Sequence, residues 1–165
     1  MKFTLNYLLV TKQITCLAHR QGLAWKDTAK MTTGLLKPAL YREAGSDADP
    51  AHPALLGGAC GCGHVFFPMQ NFGCERCGRT DLSPRALTGR GRLLASARVH
   101  LHAGKHRHAP FTVGSIALED GPIVRTILVD DGVPFQAGDA LTATLVDVHD
   151  ADGNLRRDLR FQREA

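Results

Sequence analysis

Beyond Gly91 the chain is built of short runs in which apolar and polar positions interleave, each closed by turn residues. Arg92–Ala103 (RLLASARVHLHA), Phe111–Leu118 (FTVGSIAL), Ile123–Asp130 (IVRTILVD), Asp139–Asp150 (DALTATLVDVHD) and Leu155–Gln162 (LRRDLRFQ) therefore predict five strands. Glu119-Asp120-Gly121-Pro122 and Asp150-Ala151-Asp152-Gly153-Asn154 are the turn signals between neighbouring runs. Five consecutive strands fit a closed barrel of the OB type, because closure removes the exposed edges of a small sheet. A small open sheet is the competing architecture.

Upstream the pattern changes. Leu35–Glu43 reads as a short helix with Pro38 near its start, and Gly45–Pro53 (GSDADPAHP) as loop. TDLSPRALTGRG, residues 80–91, reads as a connection into the barrel. Residues 1–34 have mixed polarity and no steady period, so they are expected to be an N-terminal extension. Met31 opens a stretch, MTTGLLKPALYREAG, that reads as an alternative translation start. The expected division is an extension over 1–34, a short helix, loop and cysteine-rich module over 35–84, and a barrel over 85–165.

No apolar run approaches the roughly 20 residues that span a bilayer. Phe3–Val10 is interrupted by Asn6 and followed by Thr11, Lys12 and Gln13, a poor export signal. The reading is a cytoplasmic protein that does not meet a membrane. In a reducing compartment clustered cysteines favour metal over disulfides.

The chain carries a net charge of +4 over 165 residues. Lys2, Lys12, Arg20, Lys26 and Lys30 against Asp27 place all of it in residues 1–30, and the remainder is neutral. Nucleic-acid binders normally carry positive charge on the folded domain, so nucleic acid is not the expected partner.

Four of the five cysteines stand in ACGCGHVFFPMQNFGCERCG, residues 59–78, as Cys60-Gly61-Cys62-Gly63 and Cys74-Glu75-Arg76-Cys77-Gly78. A C-x2-C turn supplies two tetrahedral zinc ligands, and two such turns joined by a short hairpin form a zinc ribbon of the rubredoxin type. Cys60, Cys62, Cys74 and Cys77 are the expected ligands. The first pair has one intervening residue instead of two. His64 in place of Cys60, or an empty site, are the alternatives. Four thiolates close the coordination sphere, so the expected zinc is structural, holding together a module too small to fold on its core alone. Cys16, without a nearby partner, reads as an inert thiol.

CGCGHVFFPMQNFGCERCG, DLSPRALTGRGRLLA and the β-rich tail together resemble the zinc-ribbon and OB-fold proteins associated with acyl-CoA enzymes. The resemblance covers residues 35–164. It maps the family's cysteine pairs to Cys60, Cys62, Cys74 and Cys77, its apolar strand to Val65–Pro68, and its barrel entry to Gly89–Gly91. The shortened first pair is the departure. The resemblance implies a small non-catalytic accessory subunit in a hetero-oligomer with a thiolase-like or hydratase-like enzyme, helping to bind or channel acyl-CoA. The PMQNFGCERCG stretch looks most like the versions paired with thiolase-type acyltransferases.

Several other residues carry candidate chemistry. Lys105 and Arg107 in HLHAGKHRHA (His100–Ala109), with Arg90, Arg92 and Arg125, are candidate contacts for a CoA phosphate by charge. The four histidines of that stretch offer a second metal site, but no cysteine or carboxylate anchors them, which favours a solvated loop. Asp130, Asp131, Asp147 and Asp150 lie at strand ends and turns, where aspartate serves the backbone. No nucleophile motif or phosphate-cradling loop is legible, so no active site is expected. The alternative function is single-stranded nucleic-acid binding, since ribbons and OB barrels do that elsewhere. Against it, only Phe111, Phe135 and Phe161 offer stacking rings from Gly91 onward.

Overall fold

The computed structural model describes residues 34–104 and 107–164. They form nine strands: β1 (Tyr41–Arg42), β2 (Ala54–Cys60), β3 (Val65–Phe66), β4 (Leu82–Leu87), β5 (Arg90–Val99), β6 (Phe111–Leu118), β7 (Ile123–Ile127), β8 (Ala140–His149) and β9 (Leu155–Arg163).

The last five strands follow the alternation in the sequence. Every second residue of FTVGSIAL is buried, from Thr112 to Leu118, and β6 pairs antiparallel with both β5 and β7. The order is β7-β6-β5-β8-β9. Strand β7 returns to β9 through a parallel bridge between Leu128 and Phe161, and the Val129 amide donates to the Phe161 carbonyl at 2.8 Å. That closure, with the third and fifth strands running parallel, makes the sheet a curled OB-type barrel rather than an open sheet. Gly91 sits where β5 crosses its neighbours: a Cβ there would lie 2.4 Å from the Ala117 carbonyl oxygen and 2.8 Å from Ile116.

The preceding sheet is centred on β2, which pairs with β1, β3 and β4, all antiparallel. Two expectations are corrected here. Leu35–Glu43 is not a helix: Leu35 bridges to Arg157, residues 38–40 form a turn, and Tyr41–Arg42 is strand. The Leu36 and Arg157 amides bond to the carbonyls of Arg157 and Gly34, so β9 takes the hydrogen bonds that a helix would have kept within itself. The second correction concerns residues 82–87. They are a strand and not an unstructured connection, and Pro84 fits because β4 lies at the sheet edge.

One core joins the two sheets. Tyr41, Leu55 and Leu87 pack in a single buried cluster with Leu93, Ile116, Leu141, Leu159 and Phe161 of the barrel. Asp120 reinforces the joint: it accepts the Thr88 amide at 2.6 Å, the Thr88 hydroxyl at 2.8 Å and Arg85 at 2.9 Å, pinning the β6–β7 turn to the β4–β5 connection.

Candidate metal centre and the ribbon–barrel cavity

The first cysteine pair is built on the end of β2. Cys60 closes that strand, and its amide donates to the His64 carbonyl at 2.8 Å while the Gly63 amide donates back to the Cys60 carbonyl at 2.8 Å. The second pair repeats the device, with Cys74 N to Arg79 O at 2.8 Å and Gly78 N to Cys74 O at 2.7 Å. Gly63 and Gly78 turn each knuckle at φ of +85° and +76°, a conformation that glycine takes without a Cβ clash.

The four sulfurs lie within 4.8 Å of one another. Cys60 and Cys77 are 3.6 Å apart and Cys62 and Cys74 3.7 Å, far beyond a disulfide bond of about 2 Å. An ion at about 2.3 Å from each thiolate of a tetrahedron spaces the sulfurs about 3.8 Å apart. Those two separations match it, so the four cysteines fit a tetrahedral metal ion.

The single residue of the short first knuckle is closely covered. A Cβ on Gly61 would lie 2.5 Å from a carboxylate oxygen of Asp81 and 2.8 Å from the Arg79 guanidinium. That pair, joined at 3.2 Å, packs directly over the knuckle, and a side chain at position 61 would have to push its tips aside. Asp81 first, and then the Cys60 and Cys77 sulfurs, hold the Arg79 guanidinium above its ordinary range, which sets a positive charge beside the cluster. His64 is not a ligand in place of Cys60: its Nε2 bonds to Glu75 at 2.8 Å and ties the two knuckles together.

Protonation within the cluster is uneven. The Cys62 amide lowers the Cys60 thiol, but burial and the neighbouring thiols of Cys62, Cys77 and Cys74 outweigh it and push Cys60 up to about 12. The Arg79 amide leads the causes that bring Cys77 down to about 7. Ionising thiols this close together calls for a cation to replace their protons.

Among the described residues no other group of three or more His, Cys, Asp or Glu gathers its ligand atoms this closely. Among the described residues His100, His102 and His108 do not gather in this way; Cys16, Lys105 and His106, the fourth histidine of that stretch, lie outside the described residues.

The five basic candidates separate. Arg107 and Arg125 line one cavity of about 380 Å³ between the β2 sheet and the barrel. Leu40, Leu55, Phe67 and Leu159 are among its apolar lining, Lys37 adds a third positive charge, and Asp158 places a carboxylate in the same wall. Arg90 is instead held by Asp49 at 2.9 Å and Glu164 at 3.5 Å, and Arg92 is exposed, donating to the Gly138 carbonyl at 3.2 Å. The cavity was not foreseeable from spacing, because its wall residues come from segments more than a hundred residues apart.

No family description and no curated protein matches this sequence. The fold is similar to a chain of a solved structure described as "Ltp2-ChsH2(DUF35) aldolase", with a TM-score of 0.54 and 19% identity, covering 67% of this chain and 84% of that one. A likeness at this identity speaks to the fold alone. Among the described residues no helix is long and apolar enough to cross a membrane.

Proposed function

We propose that this chain is a non-catalytic accessory subunit of an acyl-CoA-processing complex. Its partner is a thiolase-like enzyme, with hydratase-like and aldolase partners as related candidates. Zinc held by Cys60, Cys62, Cys74 and Cys77 stiffens the ribbon as a docking element, and a closed thiolate shell leaves no position for a metal-bound water. The barrel contributes one wall of the acyl-CoA path. The apolar cavity between ribbon and barrel suits a thioester's hydrocarbon portion, with Arg107 and Arg125 at its margin for the coenzyme phosphates. Lys105, Arg90 and Arg92 are secondary candidates for the same charge.

The observation that carries this reading is the joining of the cysteine sheet and the barrel through one core, in a fold similar to that of a chain whose description names an aldolase. Single-stranded nucleic acid has less support. Phe161 is fully buried, and Arg107 and Arg163 lie over Phe111 and Phe135 at 5.4 and 4.4 Å from their ring centres, which leaves the barrel little aromatic surface for stacking bases.

Affinity capture of the full chain from its host, followed by mass spectrometry, tests the reading. Recovery of a thiolase-, hydratase- or aldolase-like chain in near-equal amount is the expected result. Recovery of nucleic acid that survives high salt would overturn it.

A further inference from the structure

Strand alternation puts Asp158 and Arg160 on one face of β9. Asp158 is buried, and its Oδ1 accepts from the Tyr41 hydroxyl at 3.2 Å. Its other oxygen faces two guanidinium groups, Arg107 at 3.8 Å and Arg160 at 3.9 Å, both beyond hydrogen-bonding distance. Among the described residues neither arginine has a hydrogen bond, and the buried Arg160 Nε meets Asp158 only at ion-pair distance. A guanidinium presents five N–H donors, and a buried one left unused is costly.

Arg107 is fixed from the other side, its guanidinium lying over the Phe111 ring, which His102 meets edge-on at 5.4 Å. Both arginines line a cavity of about 600 Å³ together with His102, His108 and His149. Asp150, also in its wall, is already engaged by Arg156 at 3.0 Å and by the amides of Asp152 and Asn154. Two guanidiniums against Asp158 alone leave the site with a net positive charge before any histidine is protonated.

We propose that this cavity binds a phosphate ester, with Arg160 and Arg107 as its two charged donors. A carboxylate in the Asp158 position has too few oxygens within reach to satisfy both guanidiniums. A phosphate brings up to two negative charges and three acceptor oxygens, and its bidentate pairing with arginine suits the forked donors that now point into the cavity unused. Burial first, and then repulsion from Arg107, hold the Arg160 guanidinium below its ordinary range despite the pull of Asp158. A bound anion relieves both. The site adjoins the apolar ribbon–barrel cavity, because Arg107 lines the two.

The inference stands on charge and unused donors, independently of the accessory-subunit reading. The phosphate can come from a coenzyme thioester or from a free phosphate, and two probes distinguish them. Titration calorimetry on the full chain with coenzyme A and with inorganic pyrophosphate should show binding of at least one. Arg160→Gln and, separately, the more exposed Arg107→Gln should each weaken it about tenfold or more, while Arg85→Gln, on the Asp120 side of the molecule, leaves it unchanged. Binding of coenzyme A displaced by pyrophosphate supports a coenzyme source. Binding of pyrophosphate alone supports the site while counting against acyl-CoA. Wild type that binds neither probe, or folded Arg107→Gln and Arg160→Gln chains that bind as wild type does, would overturn the proposal.

Discussion

The Tyr41 hydroxyl lies 3.2 Å from Asp158 Oδ1, so a residue of the small sheet and one of the last barrel strand share a buried hydrogen bond across 117 positions of sequence. The same hydroxyl accepts the Lys37 amide and lies 3.2 Å from the Arg157 carbonyl. Burial first, and then the Asp158 charge, push its pKa up to about 12. Tyr41→Phe keeps the ring in the core but leaves a buried carboxylate short of a donor. A loss of about 1–3 kcal/mol is expected in urea unfolding. The linkage has a definite sign: a raised folded pKa stabilises the protein below the unfolded value, about 10, and that contribution fades as pH rises through 12. The variant should therefore lose stability less steeply than wild type in that range.

Metal removal tests the cysteine centre. The chain should carry one zinc ion, and Cys74→Ser or a strong chelator should remove it. Loss of a structural ion removes folding free energy directly. A drop of about 10 °C or more in Tm is expected, since 1 kcal/mol shifts a chain of this size by about 2–4 °C. Hydrogen exchange should rise across β2, β3 and β4 and change little in β6 and β8. Full protection of β2 in the metal-free chain would show that the ion is not what holds the ribbon.

Gly91→Ala tests the barrel entry. Its Cβ would meet a main-chain oxygen of the paired strand, which cannot move aside as a side-chain tip can. Overpacking of this kind costs about 1–3 kcal/mol. A variant unfolding at the wild-type urea midpoint would contradict the packing described for β5 and β6.

Acid sensitivity follows from three carboxylates. Arg156 and the Asn154 amide hold Asp150 at about 2, and Arg163 and the Val133 amide hold Asp131 below its ordinary range. Burial opposes ionisation of Asp49, but hydrogen bonds from His52 and Arg90 outweigh it and lower its pKa. A depressed folded pKa means stability that is present above the unfolded value, about 4, and lost as pH falls toward 2. The stability gap between wild type and Arg156→Gln, measured by urea midpoint, should narrow steadily from pH 5 to pH 2.5. A gap constant across that range would remove Asp150 from the account.

The barrel was legible because alternation is a local signal: β6 buries the residues its pattern assigns to one face. The cysteine cluster was legible for the same reason, two short knuckles each closed by its own backbone bonds. Leu35–Glu43 misled because Leu36 and Leu40 have helical spacing, while Leu35 and Leu36 pair with Arg157 on β9 and Leu40 with Leu56 on β2, beyond any local window. The strand at 82–87 was hidden by Pro84 and by a face that is largely exposed, which leaves no alternation to read. Charge alone also could not rank the arginines. Arg90 is tied up by Asp49, 41 positions away, whereas Arg160 was overlooked, since its unmet hydrogen bonding exists only in three dimensions.

The most direct test of the central claim is the kcat/KM of the captured partner enzyme with an acyl-CoA substrate, measured alone and with stoichiometric zinc-loaded chain. The account predicts activity that is low or absent alone and restored on addition, with the Cys74→Ser chain failing to restore it. Full activity of the partner by itself would contradict it.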